Sequence, residues 1–289
     1  MEKFRISQRN LNSIIDYNRK RCVGKWINKM GSMNMENIKF NTKSIAKYYM
    51  ENRQHWDEFY LSEKRIMSSA MNRFETAFSV LDVGCACGGL AGALYEKYKI
   101  SSYCGVDINE EAIAVANKQK KSLPFPQEFR CEDIVKTKDK KEYDIVICLG
   151  AADCNVDYNG IVNSCWNKVK EEGSLILSGR FTNGESLYDK EVSYQLMEDY
   201  DNGEKASYVV MNFLEWVDKI CILKDLYEVE GYGYYGKPAV TVRTLYNEVC
   251  FGTMALRKIQ GGGIIRMKLD VPMNLFLSKS YFTHKNKKV

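Results

Sequence analysis

Residues 79–90, Ser-Val-Leu-Asp-Val-Gly-Cys-Ala-Cys-Gly-Gly-Leu, constrain the fold more than any other stretch of this chain. Val80-Leu81-Asp82-Val83 reads as a short apolar strand running into a turn of small residues, Gly84 to Gly89. Leu90, Leu94 and Tyr98 follow at helical spacing. Strand, glycine turn and helix in that order form a pocket suited to a nucleotide-like ligand. Small residues let the backbone approach the ligand, and the helix start presents unpaired N–H groups. An ordinary strand–helix connection has the same outline, so the turn needs a second feature to carry meaning.

Asp82 is that feature. A pyrophosphate over the turn would be repelled by a carboxylate at the strand end, whereas a ligand with a cationic end would be attracted. S-adenosylmethionine has such an end, an ammonium and a sulfonium. The run Leu81-Asp82-Val83-Gly84-Cys85-Ala86-Cys87-Gly88-Gly89 resembles the first motif of the Rossmann-like, class I S-adenosylmethionine-dependent methyltransferases. It departs at Ala86, where the family usually has its middle glycine. A methyl group is tolerated there if the residue keeps a negative φ.

The following strands extend the pattern. Tyr103–Ile108 reads as strand two, followed by Asn109 as a helix cap, with Glu110 and Glu111 suited to the first turn. Asp107 ends that strand 25 residues after Asp82, where a carboxylate can hold both ribose hydroxyls of an adenosine. Glu128–Cys131 reads as strand three, and Asp133 beyond it can accept from an adenine amino group while Ile134 packs on the ring. Plain turn and cap chemistry is the alternative for both acids. The resemblance implies a cofactor cradle of Asp82, Gly84, Cys85, Ala86 and Gly88, with Asp107, Ile108, Asp133, Ile134 and Leu149 on the later strand ends.

Tyr143–Leu149 is an almost unbroken apolar run, as a parallel strand covered on both faces requires. A helix with Ile161, Val162, Cys165, Trp166 and Val169 inward is expected to end at Gly173, followed by strand five, Ser174–Phe181. Residues 182–207 are polar and read as an insertion over the strand ends. After a helix with Phe213, Trp216, Val217 and Ile220, strands are expected near 226–232 and 248–256. The short link between them makes a hairpin, hence an antiparallel last strand. The fold class is α/β: a mainly parallel seven-stranded sheet of the Rossmann-like methyltransferase type, with helices on both faces. The resemblance spans about 79–259.

The remaining segments flank this unit. Residues 1–75 are expected to form a helical arm and pocket cover, with Ile45, Tyr48, Tyr49, Trp56, Phe59 and Tyr60 on one helical face and a second helix from Ser62 burying Ile66, Met67, Ala70, Met71 and Phe74. Residues 260–289 read as an extension with a hinge at Gly261-Gly262-Gly263 and a β-like tail of no evident place.

Charge and cysteines narrow the function. The net charge is +5, but residues 1–31 hold eight Lys or Arg against two acids and residues 279–289 hold four Lys and no acid. The body between is therefore net acidic, which disfavours nucleic acid as the partner of the core. No apolar run reaches about 18 residues, so no membrane span is expected. The first residues lack the apolar stretch of a secretory signal. The ten cysteines are scattered and several lie in core strands, which reads as reduced thiols of a cytoplasmic protein. Cys85 and Cys87 have no histidine pair beside them, so no metal is expected.

The expected activity is methyl transfer from S-adenosylmethionine to an oxygen or nitrogen of a small molecule, a sugar or other biosynthetic intermediate. The absence of Asn/Asp-Pro-Pro-Tyr after strand four disfavours nucleobase amino groups. RNA or protein methylation guided by the basic ends is an alternative, as is a cofactor-binding partner with no activity. Asp153 is the candidate base or substrate anchor, a structural loop acid being the plainer reading. His55 is a second candidate able to reach the pocket from the cover; a surface role is its plainer reading, and His284 is read as idle. The run Gly231-Tyr232-Gly233-Tyr234-Tyr235-Gly236 could wall a sugar ring or cage an amine, or simply pack on the sheet edge. The oligomeric state stays open.

Overall fold

A computed structural model describes residues 43–120, 122–155, 157–196 and 205–277. The helical arm expected over 1–40 lies outside the described residues, as do residues 278–289 with His284.

The chain enters as α1 (Lys43–Glu51) and α2 (Leu61–Met71) and then alternates strand and helix. The order is β1 (Phe78–Val83), α3 (Gly89–Tyr95), β2 (Ile100–Asp107), α4 (Glu110–Lys118), β3 (Gln127–Cys131), β4 (Tyr143–Cys148), α5 (Tyr158–Trp166) and β5 (Val169–Thr182). The second half holds β6 (Tyr194–Leu196), β7 (Lys205–Ser207), β8 (Met211–Asn212), α6 (Phe213–Ile220), β9 (Leu226–Gly236), β10 (Val242–Arg243), β11 (Val249–Lys258) and β12 (Arg266–Asp270). The main sheet runs β12-β9-β11-β5-β4-β1-β2-β3, with β8 beside the end of β5. β1 lies parallel to β2 and β4, and β11 runs antiparallel between β5 and β9. The seven strands from β9 to β3 are the expected sheet with its antiparallel last strand.

Local chemistry explains the elements. Asn109 Oδ1 accepts from the amides of Glu111 and Ala112, both at 3.0 Å, and so starts α4. Asn212 caps α6 in the same way. In β4, Ile145 and Ile147 pack on one face with α2, α3 and α4, while Val146 and Cys148 pack on the other with α5 and α6. Both faces of the strand are buried, which is why it reads as one apolar run.

Four expectations change. The helical face drawn through residues 45–60 is broken after Glu51, where Arg53 takes a φ of +62°. Trp56–Glu58 forms a 3-10 turn, so Trp56 and Phe59 are buried from an irregular segment. α2 packs flat against β5, β9 and β11 as part of a helical layer, rather than across the strand ends. α5 stops at Trp166, and Gly173 sits inside β5 against the Asp144 carbonyl rather than at a helix end. The triple glycine is the crossover from β11 to β12, and β12 pairs parallel to β9 as an eighth strand on the sheet edge. The start of the expected extension therefore belongs to the main sheet.

The described part of the segment read as an insertion lies beside the turn after β4. β6 pairs with β7 and β10 in a small antiparallel sheet. It lies against the 3-10 turn Ala152–Cys154 after β4, where the Val209 amide donates to the Asp153 carbonyl at 3.0 Å.

Candidate functional site

The turn after β1 folds back on β2. The amides of Gly84 and Cys85 donate to the Val106 carbonyl at 2.8 and 3.2 Å, and the Gly88 amide donates to the Cys85 carbonyl at 2.9 Å. Gly84 and Gly88 have φ of +78° and +77°, so their lack of a Cβ is required. A Cβ on Gly84 would also lie 2.5 Å from that of Ala151. Ala86 has φ +46°, which is the left-handed region, so the condition of a negative φ is not met. The Ala86 amide is held there by Asp107 Oδ2 at 2.9 Å, and this bond offsets part of the backbone cost. Cys85 is buried over Gly105, and the Cys87 thiol donates to the Ala46 carbonyl of α1 at 3.2 Å. Thus α1 and the segment after it lie on the turn, with the Arg53 carbonyl close against Gly89.

Three carboxylates stand at three neighbouring strand ends. Asp82 is buried and accepts from the Tyr103 hydroxyl at 2.5 Å. Burial pushes its carboxyl up from 3.8 to about 7 against the pull of that bond; the charge of Asp107 adds to the rise and Arg53 opposes it. Asp107 accepts from the Asn109 amide through Oδ1 and from Ala86 through Oδ2, and burial raises its pKa against these bonds. Asp133 accepts from the Val135 amide at 3.0 Å and faces Lys136 at 3.7 Å. Ile108 and Leu149 are half-buried at the ends of β2 and β4. Ile134 is buried within the apolar core on the α5 side.

A second group lies beyond β4 and β5. Asp153 is 3% exposed, its Oδ2 faces Arg180 Nη1 at 3.5 Å, and its carbonyl accepts from the same nitrogen at 2.7 Å. Asp153 Oδ1 has no hydrogen-bond partner among the described residues. Burial raises the Asp153 carboxyl, and Arg180 opposes the rise. The Arg180 guanidinium also covers the Tyr208 ring, 3.9 Å from its centroid. Burial pushes the Tyr49 hydroxyl up to about 12, with the charge of Cys154 adding to the rise and that of Arg53 opposing it. Arg53 stacks over Phe59 at 4.4 Å and pairs with Glu63 at 3.0 Å.

His55 is not in this group. It is 66% exposed, and its Nδ1 lies 2.8 Å from Glu96 at the far end of α3 from the turn. A helix of seven residues spans about 10 Å, which separates it from the strand ends. His55 therefore takes the plainer of its two readings, a surface residue in contact with Glu96. The Tyr-Gly run is part of β9, in register with β11, rather than a loop: Gly233 admits the Cys250 thiol, and Tyr232 lies under Arg65 at 4.2 Å. Sequence reasoning missed Tyr103, Arg53, Arg180 and Tyr208. Only Arg180 left a trace, as a charge inside the otherwise uncharged run Ser174–Thr182.

The sequence profile described as "Methyltransferase domain" matches residues 75–214, which cover β1 to the start of α6. Residues 75–214 thus carry a methyltransferase domain. Among curated proteins, the chain is 23% identical over 172 residues to a malonyl-[acyl-carrier protein] O-methyltransferase of Acetivibrio thermocellus, covering 56% of this chain and 60% of that one. It is 29% identical over 139 residues to a ribosomal protein L11 methyltransferase of Nitratiruptor sp., covering 48% and 47%. It is 30% identical over 105 residues to a ubiquinone biosynthesis O-methyltransferase of Glaesserella parasuis, covering 34% and 44%. The chain thus spans about half the length of these relatives.

The residues of the methyltransferase turn fit the family's cofactor. Asp82 and Asp107 place two carboxylates close enough for each charge to disfavour the other, and a cationic ligand relieves that repulsion. Both Asp107 oxygens accept from backbone amides, and the carboxylate's roughly four lone-pair sites leave room for a ribose hydroxyl. Among the described residues no cluster of His, Cys, Asp or Glu could hold a metal ion, and no helix is long and apolar enough to cross a membrane.

Proposed function

We propose that this protein binds S-adenosylmethionine at the ends of β1, β2 and β3 and transfers its methyl group to a small molecule held beyond β4 and β5. The observation that carries the reading is the pair of carboxylates at the ends of β1 and β2, Asp82 buried and Asp107 half-buried, flanking a turn where a side chain on Gly84 would collide. Asp82 faces the cationic methionyl end, Asp107 the ribose, and Asp133 with Ile134 the adenine. Gly84, Cys85, Ala86 and Gly88 bring backbone close to the ligand, and Ile108 and Leu149 pack along it. The cofactor supplies a methyl carbon already activated by its sulfonium, so the protein's task is alignment and removal of the acceptor's proton. Asp153 is the residue placed to anchor the acceptor or to take that proton. α1, the 52–60 segment and the small sheet keep water out.

Two of the relatives are named as O-methyltransferases, which favours oxygen over nitrogen as the acceptor atom. The nine described cysteines form no disulfide, in keeping with a reducing, cytoplasmic setting. Calorimetric titration with S-adenosylhomocysteine tests the cofactor site. Asp107→Ala should weaken binding by about 1.5–3 kcal/mol per charged hydrogen bond lost, with the fold retained. Unchanged affinity in a folded variant would remove Asp107 from the site.

A further inference from the structure

Beyond β4 and β5, two polar atoms are buried without any partner among the described residues: Asp153 Oδ1 and the Tyr208 hydroxyl. Their residues are 3% and 4% exposed, and both rest on one guanidinium, that of Arg180. A buried carboxylate oxygen or hydroxyl left unpaired is costly, so two of them around one guanidinium mark a place where a ligand completes the bonding. We infer that this pair is the clamp for the acceptor, and that the acceptor is an uncharged phenol: an aromatic ring whose hydroxyl donates to Asp153 Oδ1 and accepts from Tyr208.

Charge excludes the acidic substrate classes. Arg180 already faces Asp153, and Arg53 already faces Glu63 at 3.0 Å. Neither of these two cations is left to meet a carboxylate or a phosphate, and such a group would lie against Asp153 instead. Among the described residues the count of unpaired atoms disfavours sugars. A sugar brings four or five hydroxyls, each needing a partner once buried, whereas the clamp offers two. Ser207 Oγ is also unpartnered, but it precedes Tyr208 in an extended segment and so points to the opposite side. The surroundings suit a flat, apolar body. The Tyr208 ring, lying under the Arg180 guanidinium at 3.9 Å, offers a flat aromatic face beside its own hydroxyl. Offset or edge contacts with such rings stabilise an aromatic ligand by about 0.5–1.5 kcal/mol each.

This proposal rests on the methyltransferase reading, and its test works without the cofactor. 4-Nitrophenol, kept below its ionisation pH, is titrated into the full-length protein and followed by its absorbance. Saturable binding is expected. Asp153→Asn and Tyr208→Phe should each weaken it by roughly tenfold or more, the loss of a hydrogen bond to a charged or buried group. S-adenosylhomocysteine affinity, measured on the same variants by calorimetry, should stay within about twofold, since neither residue is in its cradle. Should Asp153→Asn fail to fold, Tyr208→Phe decides alone, because it keeps the ring on Arg180. Equal nitrophenol binding by wild type and variants would overturn the clamp, and so would binding of methyl glucoside with none of nitrophenol. Failure of the wild type to bind S-adenosylhomocysteine while nitrophenol still binds through the clamp would overturn the methyltransferase reading instead.

Discussion

Ala86 and Asp82 show how single residues are held at a cost that only the site explains. Ala86 carries a Cβ at φ +46°, where an L-residue is disfavoured by about 1–2 kcal/mol. Ala86→Gly removes that strain, and the extra freedom of glycine in the unfolded chain returns about 0.4–1 kcal/mol of it. A net gain of about 0.5–1 kcal/mol is expected in the urea midpoint; a loss would mean that the methyl group packs productively in the turn. Asp82 is raised from 3.8 to about 7, chiefly by burial. Between those values the folded protein binds a proton that the unfolded chain has released, so this residue's contribution to stability is full below pH 3.8 and is lost as pH rises to about 7. The ionised form is also the one that attracts a cation. Affinity for S-adenosylmethionine should therefore rise from pH 6 to pH 8 in the wild type. In Asp82→Asn it should be weak and flat over the same range, while the ligand-free variant should be more stable than wild type at pH 8. A wild-type affinity that does not change with pH would place the ligand's charge elsewhere.

Among the elements, β12 shows an edge strand fastened by charge more than by apolar burial. Its residues alternate between exposed and half-buried, so its hold on β9 comes from the ladder and from side chains beside it. Glu228 of β9 is buried and meets Lys268 of β12 at 3.0 Å and Arg73, just past α2, at 2.5 Å. Burial pushes its carboxyl up, but the bond from Lys268 and the charge of Arg73 outweigh it, and the net shift is downward. Ser69 of α2 donates to the neighbouring Glu230 at 2.6 Å. Glu228→Gln keeps the shape and removes the charge that both cations face. It should cost about 1.5–3 kcal/mol in denaturant unfolding, with amide exchange at 266–270 accelerated more than in β4. Uniform acceleration across the sheet would show that the network stabilises the whole fold rather than this strand.

At the scale of the molecule, the site is assembled from segments far apart in the chain. The turn after β1 is covered by 46–54, the turn after β4 by the small sheet, and Arg180 of β5 joins Asp153 to Tyr208 of the insertion. These covers carry fewer buried apolar side chains than the central strands and should open first. Amide exchange over 43–60 and 182–196 is expected to slow when S-adenosylhomocysteine and an acceptor bind, while β1 and β4 hardly change. Protection confined to the central strands would mean that the covers take no part in binding.

The parallel sheet, its antiparallel last strand and the carboxylates at the ends of β1 and β2 were legible in the sequence because each is a local pattern. A strand covered on both faces is apolar throughout, a tight turn demands small residues, and an acid at a strand end stands out against that run. The break at Arg53 was not legible, because helical spacing of aromatics does not reveal where the backbone turns. The conformation of Ala86 is held by the hydrogen bond its backbone N–H donates to the Asp107 carboxylate, twenty-one positions away. His55 and Asp153 were equally plausible as catalytic residues on type alone. Only the tertiary structure turned one outward to Glu96 and buried the other beside Arg180 and Tyr208. Composition and spacing act along the chain, whereas burial and pairing depend on which distant segment arrives at each side chain, and that is decided when the sheet closes.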